Sequence, residues 1–196
     1  MELIGVLLTI FLASTLLGWI TKVNIAYLFA PSIFLIVLWE YLFGFIGFLN
    51  FGMETLVTAL CSSTLILLIK RFDFRSLFIK NLYSPSTVAF VLLAAVSFQK
   101  TKGWMVYQWD EYTHWAHVVK VMYKYAEFGP STPADYTAEQ YPPGIALFQY
   151  FVMDFGSGWR EGMLYWSAHL ILLSLIVSVL ANCSYKFFIE IILKLC

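Results

Sequence analysis

Long apolar segments separated by short polar ones dominate this chain. They fall at about 3–20, 25–49, 53–69, 82–98, 143–157 and 162–181, and a partial seventh covers 187–196. A bilayer core requires about 20 apolar residues of helix, and a helix satisfies all of its backbone polar groups internally. The pattern therefore predicts an all-α, polytopic integral membrane protein with six to seven transmembrane helices, formed by residues 1–196 as a single transmembrane domain.

Composition supports this class and excludes others. Hydrophobic residues make up 61% of the chain and charged residues 12%, whereas soluble domains carry about 25% charged residues. The net charge is +0, and no basic patch with interleaved aromatic residues is present, so nucleic acid is not expected as a partner. The three cysteines have no spacing typical of a disulfide framework or a zinc site.

The distribution of lysine and arginine predicts the orientation in the membrane. The segment "KRFDFRSLFIK", residues 70–80, holds four of the twelve basic residues and should be cytoplasmic by the positive-inside rule. Alternating the six spans outward from it places Lys22 and Arg160 in the cytoplasm. The N-terminus and the long loop 99–141 then lie outside, across a plasma or inner membrane, or the endoplasmic reticulum membrane of a eukaryotic cell.

That outer loop contains the stretch "WDEYTHWAHVVK", residues 109–120, in which acidic residues and histidines are gathered. Asp110 is a good helix N-cap, and Gly129-Pro130 is a strong terminator, so we expect a helix over about 110–128. One face of that helix would carry Tyr112, Trp115, Val119, Met122 and Ala126. The opposite face would carry Thr113, His117, Lys120, Lys124 and Glu127. Such an amphipathic helix should lie flat on the membrane surface.

A purely structural interpretation explains much of this loop. Asp110 would cap the helix, Glu111 would complement its dipole, and the surrounding Trp and Tyr residues would form an interfacial belt. It does not explain the second half of the loop, which is a polar linker (131–140) and then "YPPGIALFQYF", residues 141–151. Two prolines there fix the backbone at the entry to the next span.

Taken together, the acidic pair, the surface helix, the polar linker and Tyr141-Pro142-Pro143 resemble the GT-C glycosyltransferases. This superfamily includes protein mannosyltransferases and the lipid A aminoarabinose transferase. The resemblance covers about residues 104–155. It implies transfer of a sugar from a polyprenyl-phosphate donor to an acceptor on the outer face of the membrane.

The resemblance also implies roles for individual residues. Asp110, the first member of the pair, would be the general base, with Glu111 in support. Helical geometry favours the opposite assignment, with Glu111 as the base. Glu111 projects near the apolar face, where burial would raise the pKa of its carboxyl group most. The residues expected to bind substrate are Trp109, His114, His117, Tyr141, Pro142 and Pro143, with Lys100 and Lys102 as outer-side cations for the donor phosphate.

The same acidic pair suits a divalent metal ion, which prefers oxygen ligands. Asp110, Glu111 and His114 are the candidate ligands, and His117 lies one further turn along the predicted helix. Histidines so placed more often form hydrogen bonds at an interface, and both interpretations stand at this point.

The acidic residues and the histidine inside the apolar segments have expected partners of their own. Asp154 should pair with Arg160 or water at the cytoplasmic end of the fifth span. Glu54 should be interfacial, and Glu40 lies inside the second segment without an assigned role. We expect His169 to pack or to form an interhelical hydrogen bond.

The chain departs from the family in two respects. The acidic pair follows the fourth predicted span, whereas it usually follows the first, and GT-C enzymes have roughly a dozen spans. We therefore expect the chain to correspond to the N-terminal part of such an enzyme, or a second subunit to complete its site. The alternative is a non-catalytic membrane subunit or transporter component whose outer loop is an interfacial anchor.

Overall fold

The computed structural model describes residues 2–108, 115–128 and 144–181, and the regular secondary structure in these ranges is entirely helical. The α-helices are α1 (Glu2–Thr21), α2 (Phe29–Phe45), α3 (Gly52–Lys70), α4 (Phe72–Leu82), α5 (Pro85–Thr101), α6 (Ala116–Tyr125), α7 (Gly144–Asp154) and α8 (Gly162–Ile176). Short 3-10 turns precede α2 and α3 (Ile25–Tyr27, Leu49–Phe51) and extend α8 (Val177–Leu180). The all-α prediction is confirmed for these residues, and the predicted partial span 187–196 lies outside them.

Five of the helices run between two opposite ends of the bundle. At one end, Glu2 forms an ion pair with Arg160, and Gly162 packs against the carbonyl of Thr101; we call this the loop end. At the other, the indole N–H of Trp19 donates to Asp73 (3.0 Å), and Asn24 donates to the carbonyl of Ala181 (2.7 Å). Lys22, Lys70, Arg71, Arg75 and Lys80 gather there, so we call it the basic end.

Three helical segments are long and apolar enough to cross a membrane: Glu2–Thr21, Leu49–Lys70 and Gly162–Leu180. The pair α4 and α5, bent by 50° at residues 83–84, makes a fourth if it is counted as one span. Helix α2 has 17 residues and is apolar but shorter. The described residues thus support three or four candidate spans where the sequence predicted six to seven.

Two predicted elements differ in kind from their observed counterparts. The basic segment expected to be a cytoplasmic loop contains helix α4, which is 11 residues long. The fifth predicted span is reduced to α7, also 11 residues, which is about 16 Å of helix against a bilayer core of about 30 Å. Eight of its residues are buried, so its apolar sequence reflects burial within protein.

The short length of α7 also changes the threading. Arg160 was predicted to be cytoplasmic, on the side opposite the N-terminus and the outer loop. In the structure it forms an ion pair with Glu2. The next residue, Glu161, accepts a hydrogen bond from the backbone N–H of Val106 (2.7 Å). Arg160 is therefore at the same end as the C-terminus of α5. The segment from 102 to 161 begins and ends at the loop end.

Polar contacts between helices fix the register of the core. Ser14 of α1 donates to Ser32 of α2 (2.8 Å), and the indole N–H of Trp166 in α8 donates to the carbonyl of Ala94 in α5 (2.9 Å). His169 Nδ1 lies 2.8 Å from the hydroxyl of Ser97, which confirms the expected interhelical hydrogen bond. Buried groups paired in this way hold α5 and α8 side by side.

Helix α6 occupies part of the segment predicted as a surface helix over 110–128, of which 110–114 lie outside the described residues. Val119 and Met122 are fully buried, and α6 packs on α7, so its apolar face contacts protein. Trp115, predicted to share that face, is 52% exposed. The helix ends at Tyr125, since Ala126 adopts a left-handed conformation (φ 55°), a common C-terminal stop.

Candidate functional site

A pocket of about 270 Å³ opens at the loop end. It lies between α6, the segment after α5 and the turn that joins α7 to α8. Its described lining residues are Val106, Ala116, His117, Lys120, Val121, Lys124, Tyr125, Trp159 and Glu161. Most of the wall is therefore apolar or aromatic, and the charged groups come from one face of α6 and from Glu161.

Helix α6 sets the spacing of the basic side chains. His117, Lys120 and Lys124 are separated by three and four residues, so they share one face of the helix. The Nζ of Lys120 lies 5.9 Å from the centroid of the Trp159 ring, and the Nζ of Lys124 lies 5.0 Å from that of Tyr125. Both distances are in the range of cation–π contacts.

Glu161 is the one acidic residue among the described lining residues. Its carboxylate accepts from the backbone N–H of Val106 at 2.7 Å, which ties the segment after α5 to the start of α8. Among the described lining residues, the two lysines outnumber this carboxylate. A pocket with two ammonium groups beside indole and phenol rings suits a ligand that carries both a phosphate and a flat or ring-shaped apolar surface.

The structure places only three of the predicted site residues. His117 lines the pocket. Lys100 and Lys102 are exposed at the end of α5 and are not among the described lining residues, so the prediction that they bind donor phosphate gains no support from this pocket. The remaining predicted site residues lie outside the described residues: Trp109, Asp110, Glu111, His114, Tyr141, Pro142 and Pro143.

The position of the acidic pair along the chain is nevertheless informative. Val106 and Ala116 both line the pocket, and Asp110 and Glu111 fall between them in sequence. Along the sequence, Asp110 is four residues from Val106, and Glu111 is five residues from Ala116.

Sequence reasoning missed Trp159 and Glu161 because it assigned the neighbouring Arg160 to the opposite side of the membrane. It counted Lys120 and Lys124 among the outer-side cations but had them point to solvent from the surface helix. The available signal was their four-residue spacing on the face that carries His117. Nothing in the local sequence reveals that the turn after α7 folds back onto that face.

A second polar cluster lies deeper at the loop end. Glu40 of α2 is fully buried, and neither carboxylate oxygen has a hydrogen-bond partner among the described residues. The carboxylate contacts the backbone of Gly52, where α3 begins. Burial of a carboxylate without a partner is costly, and this residue was given no role from sequence.

Asp154, at the end of α7 and outside the candidate spans, is close enough to interact electrostatically with Glu40. It was predicted to pair with Arg160 or water, but Arg160 pairs with Glu2. Burial, and to a lesser extent the Glu54 carboxylate, raises the pKa of Asp154 to about 6. Burial therefore favours the protonated form of the Asp154 carboxyl.

Within the described ranges, no group of three His, Cys, Asp or Glu side chains is close enough to hold a metal ion. The predicted ligands Asp110, Glu111 and His114 lie outside those ranges, so the metal prediction stays a prediction.

Comparison with known proteins adds no relative. No protein-family model, no curated protein sequence and no solved structure matches this chain.

Proposed function

We propose that this chain is a GT-C-like glycosyltransferase, or the N-terminal part of one. It would transfer a sugar from a polyprenyl-phosphate donor to an acceptor on the outer face of the membrane. The loop end would face outward and the basic end the cytoplasm.

Two features support insertion in a membrane with this orientation. Large apolar side chains are exposed along the helices, as with Phe34 (64%) of α2 and Ile69 (76%) of α3, and contiguous exposed apolar surface marks an interface with lipid or protein. The described basic residues number five at each end, but four of those at the basic end fall within the short segment 70–80, whereas those at the loop end (Lys100, Lys102, Lys120, Lys124 and Arg160) are spread over about sixty residues. The positive-inside rule gives most weight to basic residues in short segments, so it favours a cytoplasmic basic end.

The observation that carries the proposal is the pocket at the loop end. It brings Lys120, Lys124 and Trp159 together beside the two chain positions that flank the acidic pair. The ammonium groups would neutralise the donor phosphate, and the indole ring would cover the sugar or the first isoprene unit. A carboxylate base placed beside such a pocket would have the acceptor hydroxyl within reach.

In the proposed reaction, a carboxylate of the acidic pair takes the proton of the acceptor hydroxyl, and the acceptor oxygen attacks the anomeric carbon. The bond from that carbon to the phosphate oxygen breaks on the opposite face. Polyprenyl phosphate leaves with the bonding electron pair, and its charge is stabilised by Lys120 and Lys124. Asp110 is the favoured base, with Glu111 in support.

The test is the melting temperature of the detergent-purified chain with added polyprenyl phosphate. A ligand at a hundred times its dissociation constant stabilises a fold by about 2.7 kcal/mol, so the wild type should show a clear upward shift. Lys120→Gln and Lys124→Gln should lose most of it. Lys70→Gln, which removes the same charge at the basic end, is the matched control and should keep it.

Asp110→Asn separates catalysis from binding. It should retain the shift with polyprenyl phosphate and abolish sugar transfer from a radiolabelled polyprenyl-phosphate sugar. If polyprenyl phosphate shifts the melting temperature of the wild type no more than an ordinary phospholipid does, the proposed donor site is wrong. The interpretation as a non-catalytic membrane subunit would then be favoured.

A further inference from the structure

A second cavity lies at the basic end, across the bundle from the pocket described above. Its volume is about 410 Å³, and it is enclosed by the end of α1, the helix α4 and the start of α5. The lining residues used below are Trp19, Lys22, Asp73, Lys80, Asn81 and Ser84. The donor site proposed above does not use any of them.

The charges in this cavity favour an anion. Lys22 and Lys80 are both exposed and contribute two ammonium groups. The opposing carboxylate of Asp73 accepts the indole N–H of Trp19 at 3.0 Å, and the Nζ of Lys22 lies 5.5 Å from the same ring. Asp73 thus fixes the indole ring that forms one wall, and the cavity keeps an excess of positive charge.

An unpaired donor gives independent evidence for a ligand. Asn81 is 6% exposed, and its side-chain nitrogen has no hydrogen-bond partner among the described residues. Buried amide groups are nearly always paired, and leaving one unpaired costs the desolvation of that group. An acceptor oxygen from a bound molecule would satisfy it.

The start of α5 adds a further favourable element. Ser84 caps this 17-residue helix by accepting the backbone N–H of Thr87 (3.2 Å). The N-terminus of a long helix favours negative charge nearby. It lies on the same wall as Asn81 and Lys80.

The backbone at Lys22 is also unusual. Lys22 has φ 62°, a left-handed conformation in which glycine is the residue usually found at the end of a helix. A lysine at this position accepts a conformational cost and places an ammonium group in the cavity.

We propose that this cavity binds a phosphate group, with Lys22 and Lys80 as counter-ions and Asn81 as a buried hydrogen-bond donor. The headgroup of an anionic phospholipid is the source that the surroundings favour. The cavity begins where the apolar helix α1 ends, and α4 exposes Phe72 (83%) and Ile79 (50%) next to its basic residues. Apolar side chains beside basic ones on a short helix are typical of contact with an anionic membrane surface.

The experiment compares two charge-matched double variants with the wild type. Lys22→Gln with Lys80→Gln removes both cavity lysines. Lys70→Gln with Arg75→Gln removes two positive charges from the same end outside the described lining. Each protein is titrated with inorganic phosphate in detergent at about 150 mM salt, where long-range attraction between exposed charges is largely screened. Each is also reconstituted in nanodiscs of phosphatidylcholine with or without phosphatidylglycerol. The readouts are the melting temperature and the number of phosphatidylglycerol molecules retained in native mass spectrometry.

The cavity variant is expected to bind at least about tenfold more weakly than the control pair, as the loss of charge-assisted contacts to a phosphate predicts, and to lose the retained lipid. If phosphatidylglycerol stabilises the wild type and free phosphate does not, the ligand is a lipid headgroup. If free phosphate stabilises it and phosphatidylglycerol does not, the ligand is a soluble phosphate. Equal weakening in both double variants would show a diffuse basic surface and overturn the proposal, as would the absence of any phosphate or lipid effect on the wild type.

Asn81→Leu keeps both charges and removes only the buried donor. It should reduce affinity while the attraction of the lysines persists. If it binds as tightly as the wild type, the buried amide does not contact the phosphate, and the proposed site is wrong. Circular dichroism of each variant verifies that loss of binding is not loss of fold.

Discussion

At the level of single residues, Glu40 is the costliest group that the structure describes. A fully buried carboxylate whose two oxygens lack partners among the described residues destabilises the fold, whatever role it serves. Natural proteins keep such residues where function requires them and accept the loss of stability. Its neighbour Asp154 is acidic as well, so proximity does not relieve the cost.

Glu40→Gln should therefore raise stability at neutral pH. The amide has nearly the same shape and does not ionise, so it avoids the cost of burying an ionisable group, and we expect a gain on the order of 1–2 kcal/mol in the free energy of unfolding. Thermal denaturation in detergent measures it. Glu127→Gln, which alters an exposed carboxylate, should change stability by less than about 0.5 kcal/mol. A loss of stability in Glu40→Gln would mean that the carboxylate has a stabilising partner.

Residue-level predictions from sequence succeeded where the local environment decides the outcome. His169 lies in an apolar helix and needs a polar partner there, so an interhelical hydrogen bond was predictable, although its partner Ser97 was not. The partner of Arg160 was not, because it depends on where the chain goes after α7. Trp159 was missed for the same reason.

At the level of elements, the close approach of α5 and α8 at the loop end requires a glycine at position 162. Gly162 sits against the carbonyl oxygen of Thr101 and the backbone of Lys102, and a methyl group there would overlap that oxygen. Small residues permit this kind of close approach between membrane helices. The contact fixes both ends of the segment that contains the candidate site.

Gly162→Ala should destabilise the protein by about 2 kcal/mol, since backbone atoms cannot move aside as a flexible side chain would. Gly103→Ala is the control, because a methyl group at Gly103 meets nothing within 4 Å, and it should be neutral within about 0.5 kcal/mol. The measurement is the thermal unfolding of both variants. Equal stability of the two would show that the backbones at Thr101 and Gly162 can move apart without cost.

The helix boundaries of α1 and α3 were predicted to within one or two residues, because uninterrupted apolar sequence between polar residues defines them. The predicted span at 143–157 failed since a short apolar run looks the same whether lipid or protein covers it. Helix α4 was predicted as a loop because its many charged residues suggested a solvent-exposed segment. Only two of its residues, Phe74 and Asn81, are buried.

At the level of the whole molecule, the structure differs from the sequence prediction in the end of the bundle at which the residues after α7 lie. Both ends of the segment 102–161 lie at the loop end, and five helices connect that end to the basic end. The sequence prediction counted the apolar run that forms α7 as a membrane crossing. One crossing counted in error reverses the predicted side of the membrane for every residue that follows it.

Labelling with a membrane-impermeant maleimide tests this directly. In a background with Cys61, Cys183 and Cys196 replaced by serine, Ser157→Cys and Tyr107→Cys should react from the same side of intact cells. Ser76→Cys, exposed on α4, should react only after permeabilisation. Reaction of Ser157→Cys from the side opposite to Tyr107→Cys would restore the six-span threading and refute the observed fold.

The closeness of Thr101 to Gly162 has a consequence for how such a protein can diversify. About sixty residues lie between Thr101 and Gly162, whose backbones are in contact. The α5–α8 contact therefore offsets the entropy that is lost when this long loop is closed. Lengthening the loop adds little further cost, because closure entropy grows only with the logarithm of length. The segment can therefore be grafted as a cassette, provided that the graft keeps the apolar face with which α7 covers α2.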